Sequence, residues 1–240
     1  MTRLTEPGEP GSSPDPEVPA ASVTLADVQA DPELSLFISS ADRVMEGMGF
    51  TEHGFRHANL VASISYQVLH PLGYTEREAD LACVAGYLHD VGNMLTREAH
   101  AQTGAILVYQ ALKDRAAGND LAAIMAAVAN HEEDQGYAVS PISAAVILAD
   151  KSDVHRSRVR RSGQIDIDIH DRVNSAVEQS FLRVDSEART VTLELTIDTG
   201  MSQVMEYFEI FLGRMQLCRF AAEAIEARFR LVINGQELLA

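Results

Sequence analysis

The sequence predicts a mainly α-helical protein with a small α+β module in its C-terminal part. Apolar residues recur at helical spacing from about residue 31 to residue 161, and turn signals separate the periodic stretches. After Gly163 the pattern changes to the alternation typical of a β-strand, most clearly over residues 190–197. At 240 residues and 46% hydrophobic content, the chain is long enough for one sizeable core and a small appendage.

The helical region contains recognisable start and stop signals. Pro71 and Gly73 end the second predicted helix, and Thr75 with Glu78 forms a capping box for the third. Pro141 marks the start of the last helix. The predicted helices span residues 33–48, 54–70, 75–91, 97–115, 118–131 and 140–160.

The C-terminal pattern predicts a ββαβ module. Two strands flank the turn at 186–189, and a long amphipathic helix covers 201–228. A strand at 229–233 then leads into the tight turn Asn234-Gly235. We therefore expect a helical domain at 31–161 and a module at 163–240. They follow a tail at 1–22 that is rich in proline and too poor in large apolar groups to fold.

The charge balance restricts the possible partners. The net charge of −16 would repel bulk nucleic acid and an anionic membrane surface, whereas a small anionic substrate needs only local positive charge. No apolar run approaches the roughly 20 residues of a membrane helix. The first residues show no secretory signal pattern, and Cys83 and Cys218 lie in apolar helical patterns. We therefore expect a cytoplasmic protein.

A series of side chains suited to metal binding runs through the helical region. Imidazoles and carboxylates suit Zn, Fe, Mn, Ni or Co. A single histidine would more often have another role. Here each member lies in an apolar helical stretch, so the series can converge inside a helical bundle. Its members are His57, the adjacent pair His89-Asp90, His100, His131 and Asp150.

The adjacent pair His89-Asp90 has a geometric consequence. Neighbouring residues diverge by about 100° around a helix, so both face one site only at a helix edge. An aspartate placed there can bridge two cations, and ions roughly 3.5 to 4 Å apart can clamp both oxygens of a phosphoester displacement. The sequence therefore predicts one or two divalent transition-metal ions per chain.

The order His57, His89-Asp90, Asp150 resembles the H, HD, D series of the HD-domain superfamily of metal-dependent phosphohydrolases. The resemblance covers about 31–161 and implies a helical bundle around the metal site. His100 and His131 resemble the additional ligands of the binuclear HD-GYP-like branch. The resemblance thus implies that Asp90, His100 and His131 hold a second metal. The resemblance to the HD superfamily rests on three segments: Glu52-His53-Gly54-Phe55-Arg56-His57-Ala58, Leu88-His89-Asp90-Val91-Gly92-Asn93 and Ala149-Asp150.

Three positions depart from the HD-GYP pattern. Asn93 stands where that pattern has lysine, and Glu132 stands where a second consecutive histidine is expected. Only Gly136-Tyr137 is similar to the Gly-Tyr-Pro signature. These departures argue against cyclic dinucleotide hydrolysis. Glu132 is a further candidate ligand, as is His53, which falls where some members place an acidic ligand.

The densest positive charge, at 151–161, directly follows Asp150. Arginine can bind phosphate through two hydrogen bonds, and a helix continuing through this segment would place His155 and Arg158 near the face of Lys151. A solvated helix end, or a salt-bridge surface between the domains, is an equally weighted alternative. The predicted substrate-binding residues are Lys151, His155, Arg156 and Arg158, and the predicted catalytic residues are Asp90 and Lys151.

Together these features predict a metal-dependent phosphohydrolase that uses a metal-activated water on a small phosphoester, such as a nucleotide. Two alternatives stay open. One is an HD-type diiron oxygenase, which the same ligand set resembles, and the other is a non-catalytic HD module for ligand sensing or dimerisation. We also expect a homodimer through the 201–228 helix, because a long apolar face needs a partner.

Overall fold

The computed structural model describes residues 22–133, 136–160 and 169–239, and side chains from Arg172 onward in the last range. The predicted fold class is confirmed. The tail at 1–21 and the predicted boundary at Gly163 lie outside the described residues. The helices are α1 Leu25–Gln29, α2 Pro32–Gly47, α3 Phe55–Leu69, α4 Glu76–Leu88, α5 His100–Leu112, α6 Gly118–Ala129, α7 Pro141–Ser152, α8 Ile169–Ala176 and α9 Val204–Ala224. Short 3-10 turns cover Val91–Met94 and Arg156–Arg158, and the strands are β1 Val177–Asp185, β2 Thr190–Ile197, β3 Arg228–Ile233 and β4 Gln236–Leu239.

The helices that carry the predicted metal ligands pack around α7, which is almost entirely buried. Ile147 and Leu148 are fully inaccessible to solvent. Helices α3, α4, α6 and α9 all contact α7, and α5 packs against α6. An apolar helix that is covered on every side must lie in the core. Its last turn therefore carries Asp150 into the interior.

Several helix ends differ from the prediction, and two of them affect the candidate ligands. Helix α4 ends at Leu88 rather than 91, which leaves Asp90 outside the helix with φ −99° and ψ 1°. The predicted helix over 140–160 is wrong beyond Ser152, because Asp153 leaves the helical conformation with a ψ of 78°. Its carboxylate is buried against His57 instead. The Thr75-Glu78 capping box is confirmed.

The C-terminal strands form one sheet in the order β1-β2-β3-β4. β1 and β2 form the predicted hairpin, whereas β2 and β3 run parallel and are connected through α9. The predicted ββαβ order lacked the last strand. Asn234 and Gly235 take φ values of 51° and 78°, and this tight turn returns the chain as β4 beside β3.

Helix α9 connects the sheet to the helical region. It packs against α7 on one side and β3 on the other, with Tyr207, Phe211 and Cys218 buried. It is shorter than the predicted 201–228. None of the helices within the described ranges is both long and apolar enough to cross a membrane. The position of α9 beside α7 brings the C-terminal module next to the predicted metal ligand Asp150 on α7.

Candidate metal centre

The six predicted ligands converge in one buried cluster. All six residues are at most 8% exposed to solvent. They come from separate places in the fold: His57 from α3, His89 and Asp90 from just after α4, His100 from the start of α5, His131 from just after α6, and Asp150 from the last turn of α7.

One set of ligand atoms surrounds His57 and His89. The two Nε2 atoms lie 3.2 Å apart. Asp150 Oδ1 lies 3.3 Å from His57 Nε2, and Asp90 Oδ2 lies 3.2 Å from His89 Nε2. His57, His89 and Asp90 thus offer donor atoms that all lie within 4.8 Å of one another, and Asp150 Oδ1 faces the same two imidazoles at 3.3 and 3.6 Å. Two imidazoles and carboxylate oxygens are a donor set that a small divalent metal commonly takes.

A second set surrounds His100 and His131. Their Nε2 atoms lie 3.1 Å apart, and Asp90 Oδ1 lies 3.4 Å from the first and 3.7 Å from the second. Glu132 Oε2 adds a carboxylate oxygen 3.1 Å from His100 Nε2. The two sets adjoin, since His89, His131 and Asp150 also offer atoms within 4.8 Å of one another.

The hydrogen bonds at the other ring nitrogens test whether this cluster suits a metal. The Nδ1 atoms of His89, His100 and His131 each lie 2.7 to 2.9 Å from a backbone carbonyl, and an Nδ1 facing a carbonyl must donate its proton. His57 Nδ1 lies 2.7 Å from the Asp153 carboxylate. When these rings are neutral, each Nε2 therefore carries a lone pair and no proton. The Nε2 atoms of His57 and His89 face each other at 3.2 Å, and those of His100 and His131 at 3.1 Å, so their lone pairs repel. A cation removes that repulsion, so the residues fit a metal.

The electrostatics agree with this interpretation. Burial alone would raise the pKa of Asp90 and Asp150, but neighbouring positive charge, His89 for the first and Lys151 for the second, holds both well below their usual range. Burial likewise acts to lower the pKa of His89, yet the two carboxylates raise it to about 10. The cluster therefore keeps its carboxylates ionised and attracts positive charge.

Two residues that hold the ligands were not predicted. Asp153 accepts from Arg56 Nη2 at 2.8 Å as well as from His57. Burial acts to raise the pKa of Asp153, but the hydrogen bond from His57 and the charge of Arg158 keep it low. Asn93 Nδ2 donates to Asp90 Oδ1 at 2.8 Å. Asn93 was visible in the sequence only as a departure from a family pattern. Asp153 carried no signal beyond its place three residues after Asp150.

Lys151 is 4% exposed and lies beside Asp150. Its Nζ is 2.8 Å from Asp150 Oδ2 and 3.6 Å from Glu133 Oε1. Burial acts to lower its pKa, but Asp150 and the nearby glutamates raise it overall. Lys151 therefore contacts the side of the Asp150 carboxylate that does not face His57.

The remaining basic residues take different positions because α7 ends at Ser152. His155 Nε2 lies 2.9 Å from the Glu178 carbonyl, and Arg156 Nη2 donates to the Glu178 carboxylate at 2.9 Å. The structure does not bring these two to the metal-binding cluster. Arg158 is buried and donates to the backbone carbonyls of Glu52 and Asp153.

His53 lies beside the cluster rather than in it. Its ring is edge-on to His57 with centroids 5.7 Å apart, and its Nδ1 donates to the Thr51 carbonyl at 2.7 Å. Burial and the charge of Arg158 hold its pKa well below the usual range, so the ring is neutral. Glu132, the other additional candidate, contacts His100 directly.

Two cavities share Arg97 and Glu132 in their walls, and His100 lines the first of them. One of about 420 Å³ is lined by 97–102 and Glu132. The other, of about 250 Å³, is lined by Arg97 and Glu132 together with His53, Arg158 and residues of α9. Arg97 borders both cavities, and its guanidinium lies within 3.5 Å of both His100 and Glu132. No motif in the sequence pointed to this arginine.

Comparison with known families agrees with this geometry. Residues 52–157 match the sequence profile of the HD domain family. This match and the converging histidine and aspartate groups identify the segment as an HD domain, a type of domain that is typically a metal-dependent hydrolase. No curated protein matches the chain. The matched segment contains all six converging ligands.

Proposed function

We propose that the protein is a metal-dependent phosphohydrolase that acts on a small phosphoester at a site for two divalent transition-metal ions. One observation carries the two-ion assignment. The Oδ2 atom of Asp90 faces His57 and His89, whereas its Oδ1 atom faces His100 and His131. A carboxylate turned in this way toward two separate imidazole pairs is suited to bridge two cations.

The proposed ligand sets follow from these contacts. One ion would be held by His57, His89, Asp90 Oδ2 and Asp150 Oδ1, and the other by Asp90 Oδ1, His100, His131 and Glu132. When bound, such ions supply Lewis acidity toward phosphoryl oxygens and a water that ionises near neutral pH.

The surrounding residues position this machinery. Asp153 fixes the His57 ring so that its Nε2 points into the cluster, and Asn93 orients Asp90. Such partners commonly contribute about 10- to 100-fold to metal affinity or activity. The Lys151 ammonium forms an ion pair with Asp150. We therefore expect Lys151 to contribute to catalysis indirectly, through the Asp150 carboxylate.

Arg97 adjoins the ligand set proposed for the second ion, since its Nη1 lies 3.2 Å from His100 Nε2. It borders both cavities, and its guanidinium stacks over the Phe50 ring at 5.6 Å. A guanidinium in this position can donate to phosphoryl oxygens as charge develops on them. Arg97 is thus a better-placed phosphate ligand than His155 or Arg156.

The activity test uses protein loaded separately with Mn²⁺, Fe²⁺, Zn²⁺, Ni²⁺ or Co²⁺. We expect hydrolysis of p-nitrophenyl phosphate or of a nucleoside 5′-monophosphate, and its loss in the His89→Ala, Asp90→Ala double variant. His70→Ala is the matched control, since His70 is an exposed histidine at the end of α3. Iron-dependent oxygen consumption without phosphate release would replace this proposal with the oxygenase, and metal binding with neither activity would favour a sensing module.

A homodimer through α9 is a separate proposal. Met205, Leu212 and Phe220 on this helix are 69%, 52% and 54% exposed, which is unusual for large apolar groups on one helix. We expect a dimeric mass by light scattering and a shift toward monomer in Leu212→Asp. A monomeric mass for the wild-type protein would exclude this dimer.

A further inference from the structure

The 250 Å³ cavity has walls from two parts of the chain. His53, Arg97 and Glu132 belong to the HD domain, whereas Ile210 and Arg214 belong to α9. Helix α9 reaches this place because it packs along α7, the helix that carries Asp150. The C-terminal module thus supplies part of the wall of a cavity beside the metal-binding cluster.

Arg214 is held rigidly at this wall. Its Nε donates to Glu133 Oε1 at 2.7 Å, and its guanidinium lies over the Phe211 ring, 4.4 Å from the centroid. Within the described ranges, no acceptor meets its Nη1 or Nη2. A guanidinium that is fixed by stacking and retains two uncommitted amino groups can bind a phosphate through parallel hydrogen bonds.

The position of Arg214 is coupled to the cluster through a chain of ion pairs. Glu133 accepts from Arg214 and also lies 3.6 Å from Lys151 Nζ, which in turn lies 2.8 Å from Asp150 Oδ2. Because Glu133 is shared between two cations, it does not by itself cancel the charge of Arg214. This series of ion pairs fixes Arg214 relative to the proposed metal ligand Asp150.

On the basis of the proposed function, we infer that Arg214 is a substrate-binding residue whose Nη groups hold nonbridging oxygens of the phosphoryl group of a small phosphomonoester. Such a group carries a charge near −2. The cavity wall contains three arginines, Arg97, Arg158 and Arg214, against two carboxylates, those of Glu132 and Glu133. Phe50 and Ile210 supply apolar surface for the organic part.

The cavity volume limits this substrate class. Small-molecule sites commonly measure about 300 to 1,000 Å³, and this cavity lies just below that range. It suits a phosphoryl group with a compact organic substituent rather than a dinucleotide. The choice of substrate would then depend on α9, which lies outside the HD domain.

The experiment compares Arg214→Gln and Arg214→Lys with Arg219→Gln in the metal-loaded full chain. Arg219 lies on the same helix and also stacks on a phenylalanine, Phe220 at 5.4 Å, but it is exposed and does not line the cavity. The probes are p-nitrophenyl phosphate as substrate and inorganic phosphate as competitive inhibitor. Metal content is measured on every variant.

We expect Arg214→Gln to raise the KM for the ester and the inhibition constant for phosphate together, by about 10-fold or more, with little change in kcat or metal content. Arg214→Lys should fall between this variant and the wild type, since it keeps the charge but loses the planar fork. Arg219→Gln should match the wild type. If Arg214→Gln does not fold, the KM and the inhibition constant of Arg214→Lys are compared with those of Arg219→Gln instead.

Two results would overturn the inference. Unchanged KM and inhibition constants would leave Arg214 as a partner of Glu133 alone, and a loss of metal would assign it a structural role through Glu133 and Lys151. If the wild-type protein hydrolyses no phosphoester, the proposed function fails. Calorimetric binding of inorganic phosphate to the Arg214→Gln and Arg219→Gln variants then still decides whether Arg214 binds phosphate.

Discussion

His57 and His89 turn their Nε2 atoms toward each other at 3.2 Å, while Asp153 and the Gly86 carbonyl engage the opposite ring nitrogens. In the neutral rings this leaves two lone pairs in contact inside the protein. The arrangement is stable only when positive charge, a proton or a metal ion, lies between or beside them. The contacts at Nδ1 therefore prepare the Nε2 atoms to bind a cation.

The first prediction concerns Asp153, which orients His57. Asp153→Asn keeps the shape but removes the negative charge, so we expect metal affinity to fall by about 10- to 100-fold, as measured by competition with a chromogenic chelator. Asp114→Asn, at an exposed position after α5, is the control. Equal affinities in the two variants would show that Asp153 does not tune the site.

The second prediction concerns Gly92, where two parts of the site meet. A Cβ at this position would lie 1.9 Å from the His100 carbonyl oxygen and 2.6 Å from the Gly104 nitrogen. Gly92→Ala must therefore displace α5 and His100 from the cluster. We expect the free energy of unfolding in urea to fall by about 1 to 3 kcal/mol.

Gly213→Ala is the matched control for this change. Gly213 lies within α9, and a Cβ there would meet nothing within 4 Å. Alanine should stabilise that helix by about 0.5 to 1 kcal/mol because it restricts the unfolded chain. A Gly92→Ala protein as stable as the wild type would contradict the tight contact between the turn at Val91–Met94 and α5.

The third prediction concerns pH. A metal needs the unprotonated Nε2 of His89, but in the metal-free protein the carboxylates of Asp90 and Asp150 raise the pKa of this histidine to about 10. Below that pH the metal must displace a proton, so affinity should rise with pH and fall on acidification, by about tenfold per unit for one displaced proton. Titration calorimetry between pH 6 and pH 9 measures this slope, and a flat profile would contradict it.

The sequence predicted the elements better than their ends. Apolar periodicity located the helices because most of them bury one face, and the turn Asn234-Gly235 was visible although β4 was not predicted. The helix over 140–160 was extended too far, since the contact that draws Asp153 out of it joins residues 96 positions apart. No local pattern contains that information.

The residues of the site also divide into those that the sequence predicted and those whose positions depend on long-range contacts. The six ligands carried a recognisable order, so their convergence was predictable. The expected positions of His155 and Arg158 depended on a helix that ends at Ser152. Arg214 lies in a helix whose pattern indicates ordinary packing, and only the contact between α9 and α7 brings it to the cavity.

The proposed bridging of two metal positions by Asp90 is tested by the metal content of the protein, measured by mass spectrometry. We predict about two equivalents per chain in the wild-type protein and about one in the His100→Ala, His131→Ala variant, because His57, His89 and Asp150 remain intact there. One equivalent in both proteins would contradict the two-ion site, and no metal in either would exclude a metalloenzyme.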